Sequence, residues 1–318
     1  MKEFEITTIE ASQNLLRYLC KLLPNAPVSI FYKGFRKKNI TLNDKRCSGK
    51  EILHAGDMVR IWFSDNTFQK FKSSEDKASS NKRKIPDFNF ADHIIYEDAH
   101  IIIVDKPSGI LSQSNQSDVL SLNDELVSYC QELVSDTFRP SICNRLDRNT
   151  SGIVLCGKTI QGLQTLNSIL KDRSLHKNYR CVVLGKTEEK VTLKAFLVKN
   201  ERTNEVHISK DDQVYSVPIE TRYTRLSVLA KESTLLSLLD VLLVTGRSHQ
   251  IRAHLSFTGH PILGDKKYGN KKSLDLSKTL HIHHQLLHAY SVTFPLDLDG
   301  ELSYLSGKTF TAPVPWKL

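Results

Sequence analysis

A single carboxylate between two arginines is the feature of this sequence with the clearest chemical potential. Asp147 stands in the stretch NRLDRNTSG (144–152), with Arg145 and Arg148 on either side and the apolar run GIVLC (152–156) directly after it. One interpretation is a surface turn, whose exposed ion pairs contribute roughly 0–1 kcal/mol each. The other is a loop that presents one ionised carboxylate for chemistry. This stretch alone does not separate the two.

Three further polar segments lie between apolar runs in the same half of the chain. They are HKNYRCVVLG (176–185), TGRSHQIRAHL (245–255) and LLHAYSVTF (286–294). Together with YEDAHIIIVDKPSG and RLDRNTSG, in this order and separation, they resemble the RluA-type RNA pseudouridine synthases, in the branch that carries an N-terminal S4 domain. The resemblance covers essentially all of residues 92–318.

The resemblance implies a role for each of five residues. Asp147 matches the catalytic aspartate of the family, and Tyr179 matches its active-site tyrosine. Arg252 matches the arginine that pairs with the aspartate. Arg145 matches the arginine that helps to displace the target base, and Leu287 matches the apolar residue that packs on the uracil.

One departure from the family pattern lies beside the aspartate. Asn144 stands where many members have histidine, and Cys143 precedes it. Neither is a core catalytic position, so the expected consequence is a difference in loop packing rather than in chemistry.

The implied reaction breaks the uridine N1–C1′ bond, turns the uracil and rejoins it through C5. It has no redox step, so no cofactor is expected, and the chain carries no phosphate loop or dinucleotide fingerprint. The reaction needs one ionised carboxylate, which attacks C6 of the uracil or acts at the sugar. An arginine partner would keep Asp147 charged in a closed pocket. Tyr179 would stack on the uracil and help to remove the C5 proton, directly or through water. The base must leave its stack, and Arg145 would fill the gap.

Some features of the sequence suggest functions other than pseudouridine synthesis. The run HIHH (281–284) with His288 looks like a metal cluster, but no acidic or cysteine ligand stands at a convincing spacing, so no metal site is predicted. A hydrolase would need a second carboxylate beside Asp147. The alternatives that stay open are a catalytically idle RNA-binding or ribosome-assembly protein on the same scaffold and a transfer-RNA pseudouridine synthase.

The elements that would position these residues form an irregular mixture. Apolar spacing predicts helices over 121–134 and 160–172, and RSHQIRAHLSFTG reads as a helix closed by Gly259. No regular alternation of strand and helix occurs, which disfavours a doubly wound parallel sheet. We therefore predict an α+β catalytic domain around a mixed, mainly antiparallel sheet.

The positive charge of the chain is concentrated at its beginning. Residues 1–84 hold 17 Lys and Arg against 9 Asp and Glu, a net charge of +8 out of +9 for all 318 residues. A basic module attached to a near-neutral remainder of the chain indicates a nucleic-acid-binding module. The alternative, a general solubility bias, would normally be spread more evenly.

The basic N-terminal segment resembles an S4 RNA-binding domain over about residues 8–64. Helices are predicted at 12–23, with Ser12 as N-cap, and at 28–38, followed by short strands in ITLND and GDMVRIWF. The resemblance implies that basic side chains in and after the second helix face RNA phosphates. These are Lys33, Arg36, Lys37, Lys38, Lys45 and Arg46. The alternative is an ordinary solvated charged face.

The sequence thus predicts an S4-like α/β domain at 1–64, a flexible basic linker at 65–88 and a pseudouridine synthase domain at 89–318. No apolar run reaches the ~18 residues of a membrane helix, and the N-terminus has no signal-peptide pattern. The six scattered cysteines form no CxxC pair and are expected to be reduced. We expect a cytoplasmic monomer whose partner is RNA, and the S4-carrying branch indicates the RNA of the large ribosomal subunit.

Overall fold

Two sheets organise the chain, one of four strands near the N-terminus and one of eleven strands in the remainder. The computed structural model describes residues 1–72, 88–114, 119–200, 202–203 and 205–317. Residues 73–87, most of the predicted linker, lie outside these ranges. Within the described ranges, no helix combines the length and the apolar character that crossing a bilayer requires.

The smaller unit packs three helices against the four-stranded sheet. Its elements are β1 (Lys2–Glu5), α1 (Leu15–Leu22), α2 (Val28–Lys37), β2 (Ile40–Leu42), β3 (Lys45–Arg46), β4 (Met58–Ile61) and α3 (Asp65–Phe71). The strands lie in the order β1-β4-β2-β3, and every neighbouring pair is antiparallel. Asn43 and Asp44 join β2 to β3 with positive φ at both positions, as the twist of a two-residue hairpin requires. Leu15, Leu19 and Leu22 share one buried face of α1, as their spacing predicts.

Three features of this unit differ from the predictions. Helix α1 is capped by Asn14, whose side chain accepts from the Arg17 N–H at 2.8 Å, whereas Ser12 lies in the left-handed region and caps nothing. The strand β1 was not predicted, because its residues are half polar. Residues 65–71 are helical rather than part of a linker, since Ser64 caps α3 and Phe68 and Phe71 are buried in the core of the smaller unit.

The larger unit is built on the eleven-stranded sheet. Its strands are β5 (Ile94–Glu97), β6 (Ile101–Lys106), β7 (Ser141–Ile142), β8 (Ser151–Gly157), β9 (His176–Leu184), β10 (Lys190–Asn200), β11 (Glu205–Ser209), β12 (Val217–Lys231), β13 (Thr234–Leu243), β14 (Leu287–Thr293) and β15 (Thr309–Thr311). Its helices are α4 (Leu122–Tyr129), α5 (Ile160–Lys171), α6 (Gln250–Phe257) and α7 (Lys271–Thr279). The path runs β11-β10-β12-β13-β9-β14-β8-β6-β5, with β15 on β14 and β7 on β8.

Only the pairing of β14 with β8 is parallel among the described strands, so the predicted mixed, mainly antiparallel sheet is confirmed. This pairing is unusually close, because Gly152 has φ of 109° and a Cβ there would lie 2.3 Å from the Ala289 carbonyl oxygen. Only glycine fits such an approach. The glycine of RLDRNTSG therefore fixes the start of β8 against β14, and the aspartate loop that precedes β8 is held within the sheet rather than at its edge.

The smaller unit contacts the larger one through residues 7–13. The Glu10 side chain is buried and accepts hydrogen bonds from Ser135 Oγ, at 2.8 Å, and from Thr137 Oγ1. The Ile9 carbonyl accepts from the Ile160 N–H at 3.0 Å, and so satisfies one of the unpaired donors of the first turn of α5. These contacts define a docking segment that ties the smaller unit directly to the larger one.

Candidate active site

The loop that carries Asp147 is fixed by side chains on both sides of it. Asn144 accepts from the Leu155 N–H at 2.7 Å and donates to the Ile153 carbonyl at 3.3 Å, which ties the start of the loop to β8. Ser112 donates to the Leu146 carbonyl at 2.8 Å and accepts from its N–H at 3.0 Å. Asn144, the departure from the family pattern, is therefore a loop anchor.

A fully buried lysine holds the other side of the loop. The Lys106 ammonium donates to the carbonyls of Pro107, Ile110 and Arg148, at 3.0, 3.0 and 3.1 Å. Three acceptors match the three donors of the group. Burial lowers the pKa of Lys106 to about 7, opposed by the charges of Asp147 and Asp105. This lysine joins the turn after β6 to the aspartate loop.

Arg252 lies between two carboxylates. Its Nη1 donates to Asp147 Oδ2 at 2.6 Å, while its Nε and Nη2 donate to the two oxygens of Asp265 at 2.7 and 2.8 Å. Burial alone would raise the pKa of Asp265, but the bonds and charge of Arg252, with backbone N–H groups of residues 267 and 268, lower it. Asp265 thus fixes the guanidinium so that one nitrogen faces Asp147.

A histidine and a tyrosine extend this network. His249, the N-cap of α6, has positive φ, and its Nε2 is 3.7 Å from Asp147 Oδ1. Its Nδ1 is 2.8 Å from Tyr268 Oη, and the Tyr268 ring lies beneath the Arg252 guanidinium. Burial lowers the pKa of His249, although the Asp147 carboxylate opposes the shift, so the imidazole is neutral at pH 7.

Asp147 opens into a cavity of about 730 Å³. Among the described residues that line it, Asp147 is the only carboxylate, whereas seven are lysine or arginine. Tyr179 and Leu287 form part of the apolar wall, and the predicted residues Arg145 and Arg252 also line the cavity. The structure therefore brings together all five residues that the family resemblance singles out.

The remaining predicted residues lie elsewhere. Lys33, Arg36, Lys37, Lys38, Lys45 and Arg46 are exposed at the end of α2 and on β3, outside the lining of the cavity. They are free to meet solvent or a ligand, and their role stays a prediction.

The histidines that resemble a metal cluster are separated in the structure. His288 is buried, with Nδ1 2.9 Å from Ser151 Oγ and Nε2 3.2 Å from the Ala312 carbonyl, so it joins β14 to β8 and to the C-terminal segment. His281 and His283 are exposed. Over the described ranges, no group of three or more His, Cys, Asp or Glu is placed to hold a metal ion.

Sequence reasoning missed three members of the site, Lys106, His249 and Asp265. His249 lies within the motif HQIRAH, and Lys106 lies within VDKPSG. Both are therefore part of recognised motifs, but the sequence does not show the contacts that give them a role in the site. Asp265 belongs to GDKKYG, which reads as an ordinary turn. Its signal was weak because its partner, Arg252, lies 13 residues earlier in the chain, and the sequence does not show that the two side chains meet.

Tyr179 provides a first test of the site. Burial, and then the charge of Asp147, raise the pKa of its phenol well above the ordinary value, so the ring carries a neutral hydroxyl at working pH. Tyr179→Phe keeps the ring and removes only this hydroxyl. We expect RNA binding to stay within about threefold, while turnover falls by about 10²–10⁴-fold, the usual range for a lost proton-transfer group. Full single-turnover activity in the variant would show that the hydroxyl has no part in the reaction.

Comparisons with known proteins agree with this arrangement. The family model described as RNA pseudouridylate synthase matches residues 100–257. The ribosomal large subunit pseudouridine synthase C of Haemophilus influenzae is 30% identical over 302 residues, covering 95% of this chain and 89% of that protein. The protein of the same name from Escherichia coli K12 is also 30% identical, over 306 residues, covering 95% of this chain and 91% of that protein.

Solved structures agree at the level of the fold. Human RNA pseudouridylate synthase domain containing 4 superposes with a TM-score of 0.55 at 20% identity, covering 71% of this chain and 90% of that one. Human RNA pseudouridylate synthase domain containing 1 gives a TM-score of 0.54 at 22% identity, covering 66% of this chain and 80% of that one.

Proposed function

The chain belongs to the RNA pseudouridylate synthase family, and from this premise we propose that Asp147 performs the isomerisation of uridine in large-subunit ribosomal RNA. One observation carries the assignment: Asp147 is the only carboxylate among the described residues that line the cavity, and it is bound to a buried arginine. Asp265 cannot serve as a second catalytic acid, because its side chain is fully buried and holds Arg252. This disfavours a two-carboxylate hydrolase.

The surrounding residues suit the needs of the reaction. Arg252 donates a charge-assisted hydrogen bond to Asp147 Oδ2 and so fixes the carboxylate in the cavity. Leu287 and the Tyr179 ring offer an apolar surface for the uracil. The neutral Tyr179 hydroxyl is able to relay the C5 proton, since its oxygen takes up that proton while the hydroxyl's own proton passes to water.

Arg145 is suited to replace the base that leaves the stack. It is exposed, lies two residues before Asp147 and lines the mouth of the same cavity. Flipping a base costs a few kcal/mol, and a planar guanidinium is able to stack between the neighbours left behind. The loop therefore brings the reactive group and the displacing group to the RNA together.

The substrate follows from the named relatives, which act on the large ribosomal subunit by their titles. The test is to incubate the purified protein with unmodified large-subunit RNA and to map pseudouridine by chemical modification and reverse transcription. One or a few new sites with the wild type, and none with Asp147→Asn, are expected. Modification of transfer RNA alone would mean that transfer RNA is the substrate. No modification of any RNA would favour an idle RNA-binding protein. A cytoplasmic location and a monomeric state stay predictions.

We further propose that residues 1–64, extended by α3, form an S4-like RNA-binding domain. The support is its small antiparallel sheet, the two helices that lie between β1 and β2 in the chain, and the exposed basic cluster of six residues at α2 and β3. Phosphate contacts made by these cations would release counterions and make binding depend on salt.

The basic cluster is tested by neutralising Lys33, Arg36, Lys37 and Lys38 to glutamine in the full chain. Each lost phosphate contact lowers the log–log salt slope of binding by roughly 0.7–0.9, so the slope should fall by about 3. Turnover at saturating RNA should change less than affinity. A matched variant changes four exposed lysines outside both the cluster and the cavity, Lys190, Lys210, Lys271 and Lys272. Equal slopes in the two variants would mean that the N-terminal cluster is only a solvated surface.

A further inference from the structure

The positive charge in the cavity is unevenly balanced. At one end, Arg252 is bound by two carboxylates. Elsewhere in the lining are Lys171, Arg173, Lys177 and Arg247, which we call the basic end. None of these four forms an ion pair with any carboxylate that the structure describes. Lys171, Arg173 and Arg247 are exposed and Lys177 is half-buried, so four positive charges stand together with no described carboxylate to balance them.

Lys177 is the member of the basic end that lies deepest. It precedes Tyr179 by two residues on β9, and alternation along a strand puts both side chains on the same face. The strand is regular here, since Lys177 pairs with Val292 and Tyr179 with Ala289, and the irregularity lies in β14. Lys177 is thus directed into the cavity beside the predicted stacking ring.

The surroundings of Lys177 disfavour its charge. Burial lowers the pKa of its ammonium, and the neighbouring Arg173 adds to the shift. Its Nζ lies beside Gly246, 3.6 Å from where a Cβ would stand, in the loop that leads through Arg247 to α6. No described side chain or carbonyl forms a hydrogen bond with this ammonium. A half-buried cation without a partner is costly, and a bound anion would remove that cost.

The RNA substrate offers one kind of anion to such a position. The uracil and ribose of the target are neutral, so the negative charges that enter with a flipped nucleotide are its backbone phosphates. We propose that Lys177, with Arg173 and Arg247, binds a backbone phosphate next to the target uridine and so positions the extruded nucleotide over Asp147. This inference rests on the proposed function, because it takes the ligand of the cavity to be a flipped nucleotide.

The two ends of the cavity then have separate tasks. Arg252 is engaged by two carboxylates and tunes the reacting group, while Lys177 has all three donors free for phosphate oxygens. A charge-assisted hydrogen bond contributes about 1.5–3 kcal/mol, which corresponds to about tenfold or more in affinity. Lys177 is accordingly a positioning residue, whose loss should weaken binding of the strand without removing the chemistry.

The test compares Lys177→Met, which keeps the apolar stem, with Lys177→Arg, which keeps the charge. The probe is fluorescent octauridylate, whose binding to the full-length protein is followed by anisotropy over a range of salt. Lys177→Met should bind about tenfold more weakly, with a salt slope reduced by about 0.7, the value for one contact on a single strand. Lys177→Arg should recover affinity to within about threefold and restore the slope. Lys190→Met, a lysine change on the exposed part of β10, should resemble the wild type.

A second measurement separates this proposal from the proposed function. In single-turnover assays on the mapped ribosomal RNA, Lys177→Met should raise the half-saturating RNA concentration about tenfold while lowering the maximal rate by less than about threefold. Wild-type affinity and slope in Lys177→Met would overturn the phosphate contact. Equal weakening in Lys177→Arg, with a lowered melting temperature in both variants, would also overturn it, because the lysine would then be structural. If no RNA acquired pseudouridine, the proposed function would be wrong. The phosphate contact would still be tested, since the octauridylate titration does not depend on turnover.

Discussion

Replacing Asp147 with asparagine should abolish pseudouridine formation while leaving the fold and RNA binding nearly unchanged. Asparagine has the same shape, and its carbonyl oxygen is still able to accept from Arg252 Nη1, which lies 2.6 Å from Asp147 Oδ2. What is lost is the negative charge and the nucleophilic or basic oxygen. Removing a group of this kind lowers turnover by at least about 10⁴-fold in well-studied enzymes.

The measurement is release of tritium from RNA labelled at C5 of uridine, because isomerisation replaces the C5–H bond with the glycosidic bond. Affinity for the same RNA should stay within about threefold, since Asp147 makes no favourable contact with phosphate. Asp275→Asn, a change on the exposed side of α7, is the matched control and should keep full activity. Near wild-type release of tritium by Asp147→Asn would mean that the carboxylate has been misassigned.

Arg252→Met should have the largest effect on stability as well as a severe effect on activity. The variant leaves Asp265, whose side chain is fully buried, without its only charged partner among the described residues. Removing one partner of a buried ion pair typically costs about 3–5 kcal/mol of unfolding free energy. Turnover should fall with it, because Asp147 loses the guanidinium that holds its carboxylate in place.

The pH dependence of this loss follows from the direction of the pKa shift. Arg252 holds the pKa of Asp265 below its unfolded value, so the pair contributes stability above that value, and the contribution is lost as pH falls through the folded pKa. In Arg252→Met, burial instead raises the pKa of Asp265 above the unfolded value. The deficit relative to the wild type should therefore be largest near pH 7 and shrink toward pH 4, where Asp265 becomes protonated.

Urea unfolding at pH 7 and near pH 4.5 measures this change. The double variant Arg252→Met/Asp265→Asn separates stability from catalysis, since it removes the uncompensated charge but does not restore the partner of Asp147. We expect the double variant to regain part of the lost stability and none of the lost activity. An Arg252→Met protein with wild-type stability at both pH values would contradict the buried ion pair.

The secondary structure was predictable where the apolar pattern is long. Helix α5 spans Ile160–Lys171 against a predicted 160–172, and the buried strand GIVLC lies within β8. Short elements with half-polar sequences, such as β1 and β3, gave no comparable signal. Helix α3 was missed because serine- and lysine-rich surroundings obscured Phe68 and Phe71, which are buried only because the rest of the smaller unit covers them.

The site was predictable where a motif marks it and unpredictable where only a contact does. The resemblance identified Asp147, Tyr179 and Arg252, which are 32 and 73 residues apart in order along the chain and meet in one cavity. Asp265 and Lys106 were not predicted, because their importance lies in their partners. Asp265 accepts from two guanidinium nitrogens of Arg252, and Lys106 donates to three carbonyls. Such partnerships depend on how the chain folds back, which spacing alone does not encode.

The docking segment at residues 7–13 has a consequence for how the enzyme would choose its uridine. A module on a loose tether raises the local concentration of RNA but tolerates many separations between its own contact and the reacting base. Here the Glu10 side chain and the Ile9 carbonyl join the smaller unit to residues 135–137 and to the first turn of α5. We infer that the basic cluster and Asp147 contact the RNA at two points whose separation is fixed by the protein. A uridine in the right local sequence but at the wrong distance from the second contact would be passed over, and selectivity would reside in the spacing of the RNA fold.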